Sequence, residues 1–271
     1  MTTAATMFVG TGAYASKTLV SVALLRLLTR RGVKAAPFKA MVVLRSRDEE
    51  RAALHGSGLP HHLAAAGLAA ADDHCPTTVR QTAPCEGLLS RRGAEPVPVS
   101  LPCRDTVDLA SVLAPVRAEV VAAAHDALRR LAATCDHLVI EGAGSPVVLE
   151  PEQDLPNIAT ARWARPAIVL TGQFSHGNAA AALIGTYTCL PADVRSLVRG
   201  FVVANTPESS AVPRALTQVE DACGIPGLGV LPSDYSLGYD ELYTESAIER
   251  WADSMARHVD VDALLAAGGR T

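Results

Sequence analysis

The first strong pattern in the chain is a short apolar run followed by a longer apolar segment with a different spacing. Met7, Phe8 and Val9 are consecutive apolar residues, which is typical of a strand buried on both faces. From Lys17 onwards, apolar side chains recur on most sides of a helical pattern that ends in basic residues before Gly32. The pattern therefore predicts a buried strand, a loop and a well-covered helix.

Further apolar runs alternate with helical patterns along the chain. The sequence predicts additional strands at residues 33–39, 137–141, 166–171, 200–205 and 228–231. Helical patterns separate these runs, including a long amphipathic one over residues 106–133. Regular alternation of strands and helices predicts an α/β fold with a doubly wound, mostly parallel sheet and helices on both faces.

Two stretches have a less regular pattern. Residues 75–104 are rich in Pro, Thr, Ser and Gly, and they predict loops with a short strand or two over the active edge of the sheet. Residues 244–267 predict one or two surface helices. No linker or repeat marks a second domain, so we expect a single domain over residues 1–271, with a core at 5–232 and a helical tail at 240–271.

Composition narrows the classes of function. Of the 271 residues, 49% are hydrophobic, which is ample for a core. A net charge of −4 gives no electrostatic reason to expect a nucleic-acid partner. No long uncharged apolar stretch predicts a membrane span, and the first residues lack the basic region of a secretory signal. A cytoplasmic enzyme is expected, with most of its six cysteines as reduced thiols, because no C-x-x-C pair suggests a metal site.

The loop between the first strand and the first helix has the layout of a phosphate-binding loop. It is built from small residues, and Lys17 and Thr18 open the helix that follows. In such a loop the backbone N–H groups and the positive helix end face the anion, the lysine reaches the outer phosphates and the hydroxyl can hold Mg²⁺. The candidate nucleotide-binding residues of this loop are Gly10, Thr11, Gly12, Ala15, Ser16, Lys17 and Thr18.

Two observations bear on that interpretation in opposite directions. Ser16 stands where phosphate loops carry glycine, and a serine is tolerated there only where the backbone angles are ordinary. Lysine is rare in this chain, however: Lys17, Lys34 and Lys39 are its three lysines among 24 basic residues. A lysine at the phosphate-binding position suggests a chemical reason for a compact ammonium group. The alternative interpretation is an ordinary strand-to-helix turn.

A second candidate region follows the strand predicted at residues 137–141. That strand ends in Glu141 and is followed by four small residues, Gly142, Ala143, Gly144 and Ser145. The carboxyl ends of parallel strands are where α/β proteins bind ligands, and a glutamate there can order Mg²⁺. Small residues beside it permit close approach by a substrate. The alternative is a structural glutamate in a turn.

Two further clusters of polar side chains are weaker candidates. Asp48, Glu49 and Glu50 form an acidic run, which is typical of a solvated face more often than of a metal site. His61 and His62 lie at an apparent helix start. Adjacent residues on a helix point in different directions, so we do not expect these histidines to act as paired ligands.

Four stretches together resemble a known family. They are GTGAYASKT at 10–18, RRGVKAAPFK at 30–39, VIEGAGSPVVL at 139–149 with DLPN at 154–157, and LIGTYTCLPADVRSLVRGFVVAN at 183–205 followed by GIPGLGVLP. In this order and spacing they resemble the ATP-dependent synthetase domain of cobyric acid synthase, within the dethiobiotin synthetase-like P-loop superfamily. The resemblance covers most of residues 5–232.

The resemblance implies ATP and Mg²⁺ as cofactors and an amide-forming reaction. A substrate carboxylate would attack the γ-phosphate, and ammonia or an amine would capture the acyl phosphate. Lys17 would bridge the β- and γ-phosphates, and Lys39 would face the transferring phosphate or the substrate. Thr18 and Glu141 would hold Mg²⁺, and Asn205 would lie near the adenine edge. Such chemistry depends mostly on positioning and charge neutralisation.

The same resemblance suggests substrate contacts and partners. The implied substrate-binding residues are Gly142, Ala143, Gly144, Ser145 and Asn157. The implied partners are a small-molecule carboxylate and ammonia or an amine, with the nitrogen drawn from solvent or from a separate glutaminase. By analogy with the family we expect a homodimer, and we expect no nucleic-acid or membrane partner.

The chain also departs from the family's pattern. Tyr14 replaces an acidic loop residue, residues 54–58 replace an acidic-glycine segment, and residues 173–177 replace Asp-x-Asp-Arg-Gly. Carboxylates that would face Mg²⁺ or substrate are therefore absent, and a corrin substrate is not expected. We favour an ATP-dependent carboxylate–amine ligase. The alternatives are a dethiobiotin synthetase-like cyclase and a nucleotide-binding or partner-docking protein that has lost catalysis.

Overall fold

The structure is a computed structural model that describes most of the chain. The described residues are 3–13, 15–44, 58–101, 112–174, 178–206, 211–234, 236–237, 241 and 244–267. Several positions singled out in the sequence lie outside them, namely Tyr14, the acidic run at 48–50 and residues 54–57 and 175–177.

Ten strands and nine α-helices can be placed in the described residues. The strands are β1 Ala4–Gly10, β2 Ala35–Phe38, β3 Val42–Leu44, β4 Thr77–Ala83, β5 Glu86–Arg91, β6 Ala94–Ser100, β7 His137–Glu141, β8 Ala167–Gln173, β9 Val198–Thr206 and β10 Gly227–Pro232. The helices are α1 Lys17–Arg30, α2 Leu59–Ala66, α3 Arg117–Ala132, α4 Thr160–Ala164, α5 Ala179–Cys189, α6 Ala192–Arg195, α7 Ala211–Cys223, α8 Glu245–His258 and α9 Val261–Ala267.

Six of the strands form one parallel sheet, in the order β10-β9-β8-β1-β7-β2. The chain adds β2 and β7 on one side of β1 and then β8, β9 and β10 on the other, so the strand order reverses at β1. Ligands of open α/β sheets bind outside the carboxyl ends of the strands at such a reversal. The phosphate-loop candidate after β1 therefore lies where the topology favours a site.

Both faces of this sheet are covered. Met7 and Val9 of β1 belong to one apolar core, together with residues of α3 and α5. Phe8 points to the other face and packs in a second core with α1 and α8. Alternate strand residues thus feed two separate cores, which is why the strands read as continuous apolar runs. The doubly wound fold predicted from the sequence is confirmed.

A second sheet corrects the expectation for residues 75–104. Strands β3, β4, β5 and β6 form a four-stranded sheet, parallel between β3 and β4 and antiparallel between the others. Val79 and Leu89 of this sheet are fully buried in the first core. Strand β6 was not predicted from the sequence, because Pro96 and Pro98 interrupt its alternation of apolar and polar residues. Proline is tolerated there because β6 is an edge strand.

One helical prediction needs correction. Residues 112–113 are helical, but a 3₁₀ turn at Ala114–Val116 that contains Pro115 separates them from helix α3, which begins at Arg117. Proline restricts the residue before it and lacks an N–H group, so it interrupts the long helix expected over residues 106–133, of which 106–111 lie outside the described residues. The tail forms the two helices expected, and α8 is amphipathic: Trp251 and Met255 are buried against α1 in the second core, whereas its opposite face is exposed.

The cysteines mostly follow the expectation. Cys75, Cys135, Cys189 and Cys223 are free thiols, whereas Cys85 is disulfide-bonded. In the part of the chain that the structure describes, none of the helices combines the length and the apolar character needed to cross a lipid bilayer.

Candidate active site

The Lys17 side chain folds back over the loop that follows β1. The Thr11 N–H group donates to the Thr171 carbonyl at 3.1 Å, which ties the loop to β8. The Lys17 Nζ atom donates to the Gly12 carbonyl at 2.7 Å and to the Gly144 carbonyl at 3.2 Å. Lys17 therefore bridges the two small-residue loops that the sequence singled out.

Burial changes the acid strength of this lysine. Lys17 is 7% exposed. Loss of solvent is the largest influence on its ammonium group and lowers the pKa to about 8, although Glu141 raises it in part. The two acceptors that Lys17 contacts are neutral carbonyls, so an anion entering the loop would be a stronger acceptor for the same N–H groups.

Ser16 takes the backbone conformation that its position demands of glycine. Its φ of 57° and ψ of 21° place it in the left-handed region. The condition under which a serine would be tolerated easily, ordinary backbone angles, is therefore not met. Such a conformation costs a non-glycine residue roughly 1–2 kcal/mol. The backbone at this position keeps the geometry of a phosphate loop, but the residue is serine rather than glycine, which would adopt this geometry without strain.

Glu141 is the residue on which the site converges. Its carboxylate Oε1 accepts hydrogen bonds from Thr18 Oγ1 at 3.1 Å and from Lys39 Nζ at 2.7 Å. Glu141 and Lys39 are 5% and 6% exposed, so this is a buried ion pair. The structure thus brings together all three predicted catalytic residues, since Lys17 also acts on Glu141 electrostatically.

Strand order explains this convergence. Gly10 ends β1, Glu141 ends the adjacent strand β7, and Lys39 directly follows β2 on the far side of β7. Because the three strands are parallel neighbours, their carboxyl ends meet at one edge of the sheet. Asn205 belongs to β9, which lies two strands from β1, and its side chain is exposed with a φ of 52°. Its predicted role near the adenine edge stays a prediction.

The small-residue loop after β7 is supported from behind. Asn157 Nδ2 donates to the Ala143 carbonyl at 2.8 Å, and Asp154 accepts the Asn157 backbone N–H at 2.8 Å. A Cβ at Gly142 would lie 2.0 Å from Asn157 Oδ1, so only glycine fits there. Asn157 is 2% exposed and holds this loop in place, while the more exposed Gly144 faces Lys17. Substrate contacts for this loop, Ser145 included, remain predictions.

Sequence reasoning missed two members of the site, Ser21 and His62. His62 Nε2 lies 2.8 Å from Glu141 Oε2, and Ser21 Oγ donates to the same oxygen at 3.0 Å. Ser21 is the polar interruption in an apolar helix face and lies one turn after Lys17, which is a signal that could have been used. His62 had no comparable signal, because its contact depends on how α2 packs on α1.

The partners of Glu141 decide its charge. Burial alone would raise the pKa of this carboxyl group, but Lys39 and His62 outweigh burial and hold the pKa well below its usual range. Glu141 is therefore ionised at neutral pH. The Lys39 ammonium group and the His62 ring both lie within hydrogen-bond distance of this carboxylate, and Lys17 adds a second positive charge nearby.

The Mg²⁺ ion implied by the resemblance does not fit these donors as a protein-held ion. Thr18 and Glu141 are adjacent, as predicted, yet both carboxylate oxygens already accept hydrogen bonds from protein groups. Among the described residues, no group of three or more His, Cys, Asp or Glu side chains is arranged to hold a metal ion. Divalent cations need several oxygen ligands and are repelled by neighbouring ammonium groups.

Comparison with curated proteins gives consistent relatives. A probable cobyric acid synthase from Halobacterium salinarum is 33% identical over 241 residues, which are 83% of this chain and 45% of that protein. The corresponding protein from Archaeoglobus fulgidus is 32% identical over 246 residues, covering 89% of this chain and 51% of its own length. The cobyric acid synthase of Carboxydothermus hydrogenoformans is 31% identical over 231 residues, 84% of this chain and 45% of that one.

The chain is a relative of the cobyric acid synthases. The resemblance inferred from the four sequence stretches is thereby confirmed. The chain spans about half the length of the cobyric acid synthases it matches. No protein-family model matches the chain.

Comparison with solved structures supports the fold. The signal recognition particle receptor FtsY from Elizabethkingia anophelis in complex with GDP aligns with a TM-score of 0.50 at 12% identity, over 94% of this chain and 63% of FtsY. At this identity the likeness shows the fold alone. It agrees with the P-loop NTPase-like architecture of the parallel sheet.

Proposed function

We propose that the protein is an ATP-dependent carbon–nitrogen ligase that activates a carboxylate as an acyl phosphate and releases ADP. The observation that carries the proposal is the group of three buried basic side chains, Lys17, Lys39 and His62, around one carboxylate beside the loop after β1. Relatives named cobyric acid synthase support an amide-forming reaction. The substrate acid need not be a corrin.

The excess of positive charge suits phosphoryl transfer. The two ammonium groups of Lys17 and Lys39 face a single carboxylate in a site shielded from solvent, so the buried positive charge exceeds the negative charge until an anion binds. A triphosphate in the loop would supply the missing negative charge. Lys17 would donate to the β- and γ-phosphate oxygens in place of the Gly12 and Gly144 carbonyls, and it would stabilise charge that develops on the leaving oxygen.

Lys39 is placed to act on the other reactant. Its ammonium group has three N–H donors, and Glu141 Oε1 accepts one of them. We propose that the others orient the substrate carboxylate or the transferring phosphoryl group. Ammonia or an amine, from solvent or from a separate glutaminase, would then attack the acyl phosphate to form the amide and release phosphate. We expect Mg²⁺ to arrive with the nucleotide.

Product analysis with a trapping nucleophile tests this function. The purified protein is incubated with ATP, Mg²⁺, hydroxylamine and a panel of small carboxylic acids. We expect ADP, phosphate and an acyl hydroxamate, each dependent on one particular acid. Release of AMP and pyrophosphate would contradict an acyl phosphate, because ligases that adenylate their substrate release AMP. Tight ATP binding without turnover for any acid would favour the nucleotide-binding protein that has lost catalysis.

A further inference from the structure

A cavity of about 370 Å³ lies between α3, the turn that joins β5 to β6, and a short 3₁₀ turn at Asp72–His74. Four of the residues that line it are charged, namely Asp72, Arg92, Asp126 and Arg130. None of these residues belongs to the candidate active site. The volume is within the range of about 300–1,000 Å³ that is typical of small-molecule sites, and the charged lining favours a charged ligand.

Asp73 holds the two arginines together at this cavity. Arg130 donates from Nη2 and Nε to Asp73 Oδ1 at 2.8 Å and 3.1 Å, and Arg92 Nε lies 3.1 Å from the same oxygen. Helix α3 and the turn after β5 thus bring two guanidinium groups to one carboxylate. The Asp73 side chain is 18% exposed, whereas those of Arg92 and Arg130 are 37% and 43% exposed, so a ligand can reach both arginines.

Both guanidinium groups keep hydrogen-bond donors for a ligand. A guanidinium has five N–H groups, and Asp73 engages one nitrogen atom of Arg92 and two of Arg130. Within the described ranges, neither side chain contacts a second acceptor residue. Two guanidinium groups against one carboxylate leave an excess of positive charge, and such planar arrays of N–H donors bind a carboxylate strongly.

The other two charged residues give the cavity a negative side. Asp72 and Asp126 are exposed, and neither lies within ion-pair distance of a basic side chain among the described residues. Asp126 and Arg130 are four residues apart on α3, so they share one face of the helix, with Cβ atoms about 5–6 Å apart. The aspartates would repel a dianion, and the arginines would repel a dication. A small molecule with one negative and one positive group a few atoms apart fits both sides.

The 3₁₀ turn beside the cavity also contacts the main chain of Lys39. His74 follows Asp73 directly, and its carbonyl accepts the Lys39 N–H group at 2.9 Å. The His74 Nδ1 atom lies 2.8 Å from the Pro37 carbonyl oxygen, which ties the turn to β2. A ligand that orders this turn therefore stabilises a hydrogen bond at a proposed catalytic residue.

We propose that this cavity binds a small zwitterion of the α-amino acid class, and that the ligand acts on Lys39 through the turn Asp72–His74. The carboxylate of the ligand pairs with Arg92 and Arg130, and its ammonium group pairs with the two exposed aspartates of the lining. Because the cavity is separate from the site of the proposed ligase reaction, the ligand is an effector rather than a reactant. Its binding does not rest on the proposed function and is measured without ATP.

The first test is a binding screen on the full chain. The standard α-amino acids are each titrated at up to millimolar concentration and followed by calorimetry. We expect at least one of them to bind, and we expect Arg130→Gln to bind it on the order of tenfold more weakly, because charge-assisted hydrogen bonds to the carboxylate are lost. Arg129→Gln is the matched control, since it removes the same charge from the adjacent exposed position of α3, outside the cavity lining, and should bind like the wild type.

The second test assigns the two ends of the ligand with blocked derivatives of the amino acid that binds. The N-acetyl derivative lacks the ammonium group, and the carboxamide derivative lacks the carboxylate. We expect the wild type to bind each derivative on the order of tenfold more weakly than the parent amino acid. Asp126→Asn should not weaken the N-acetyl derivative further, and Arg130→Gln should not weaken the carboxamide further, because the corresponding pair is already absent.

Hydrogen exchange at Lys39 tests the link to the active site. The Lys39 amide is followed by NMR, and we expect its exchange to slow when the amino acid is bound. Unchanged exchange in the bound protein would overturn the link. Absence of binding by every amino acid, or equal losses in Arg130→Gln and Arg129→Gln, would overturn the site. If Arg130→Gln does not fold, Arg92→Gln takes its place. None of these outcomes bears on the ligase proposal, which depends on ATP turnover.

Discussion

The two ends of strand β7 each carry a buried ionisable side chain, but the two side chains differ in charge. His137 begins the strand and Glu141 ends it, and the two are 6% and 5% exposed. Both have a lowered pKa. A lowered pKa means a neutral histidine but a charged glutamate, so the same direction of shift leaves one end of the strand uncharged and the other ionised.

Partners account for the difference. His137 contacts the Thr6 hydroxyl at 3.0 Å, a neutral group, and burial lowers its pKa to about 4. At the other end, burial opposes ionisation of Glu141, but Lys39 and His62 reverse that effect. Burial therefore sets the free-energy penalty for ionising a side chain. Neighbouring charges determine whether the side chain is ionised despite that penalty. The buried charged side chains Lys17, Lys39 and Glu141 lie at the carboxyl end of the sheet, where the topology favours a ligand site.

The largest effect should come from removing the charge at the carboxyl end. Glu141→Gln leaves Lys39 as a buried cation without a counter-ion and removes the carboxylate that His62 contacts, which should lower the free energy of unfolding by about 3–5 kcal/mol. Urea denaturation at neutral pH measures the loss.

Asp253→Asn is the control for that change. Asp253 pairs with Arg30 at 2.6 Å between α1 and α8, but the two side chains are 53% and 36% exposed. An exposed ion pair of this kind should contribute less than about 1 kcal/mol. Equal losses in the two variants would contradict the view that burial makes the Glu141 cluster energetically distinct.

The next effect is on catalysis at the same end. Lys17→Ala removes the ammonium group that bridges the two loops and should reduce turnover of the proposed reaction by about 10²–10³-fold. Lys34→Ala changes an exposed lysine just before β2 and should retain activity. Initial rates of ADP release at saturating ATP compare them. Near-normal turnover in Lys17→Ala would refute the assignment of this lysine.

A third effect belongs to the uncharged end and depends on pH. The unfolded chain protonates His137 near its ordinary pKa of 6.5, whereas the folded protein resists protonation until about pH 4. Between these values the unfolded state binds more protons, so this histidine makes stability fall as the pH is lowered from 6.5 to 4, by roughly 2–3 kcal/mol in total. Unfolding curves across this window should show a smaller slope for His137→Gln than for the wild type.

The control for that slope is His258→Gln, because His258 is exposed at the end of α8. Its slope between pH 6.5 and 4 should match that of the wild type. The slopes are compared rather than the absolute stabilities, because His137→Gln also alters the contact with Thr6. A wild-type slope in His137→Gln would show that this histidine is not held neutral by burial.

The smallest effect concerns backbone strain beside the charged end. Ser16→Gly should stabilise the fold by up to about 1 kcal/mol, because glycine adopts the left-handed conformation without a steric cost. Ser196→Gly is a matched control with an ordinary φ of −63°, and it should destabilise by about 0.5–1 kcal/mol. Thermal unfolding separates the two, and a loss of stability in Ser16→Gly would contradict the strain.

Much of the fold could be predicted because its signals are local. The run from Met7 to Val9, the start of α1 at Lys17 and the glutamate at the end of β7 all depend on residues adjacent in sequence. Strand β6 could not be predicted in the same way, since Pro96 and Pro98 conceal its alternation and only its edge position makes them acceptable.

The site divides along the same line. Sequence identified Lys17, Thr18, Lys39 and Glu141 because each is next to the end of a strand or the start of a helix, where ligand sites are expected. It could not identify His62, which is 41 positions from its neighbour Ser21 and reaches Glu141 only because α2 packs on α1. It predicted helices in the tail, but that Trp251 of α8 is fully buried in the second core depends on how α8 packs on α1.

The sequence by itself determined the alternation of strands and helices, the position of the phosphate loop and the relationship to cobyric acid synthases, because these depend on short-range pattern and residue type. Tertiary structure alone decided the strand order and which partners surround each buried charged side chain. Electrostatic free energy depends on distances through space and on exclusion of water, and neither quantity is fixed until distant segments have packed.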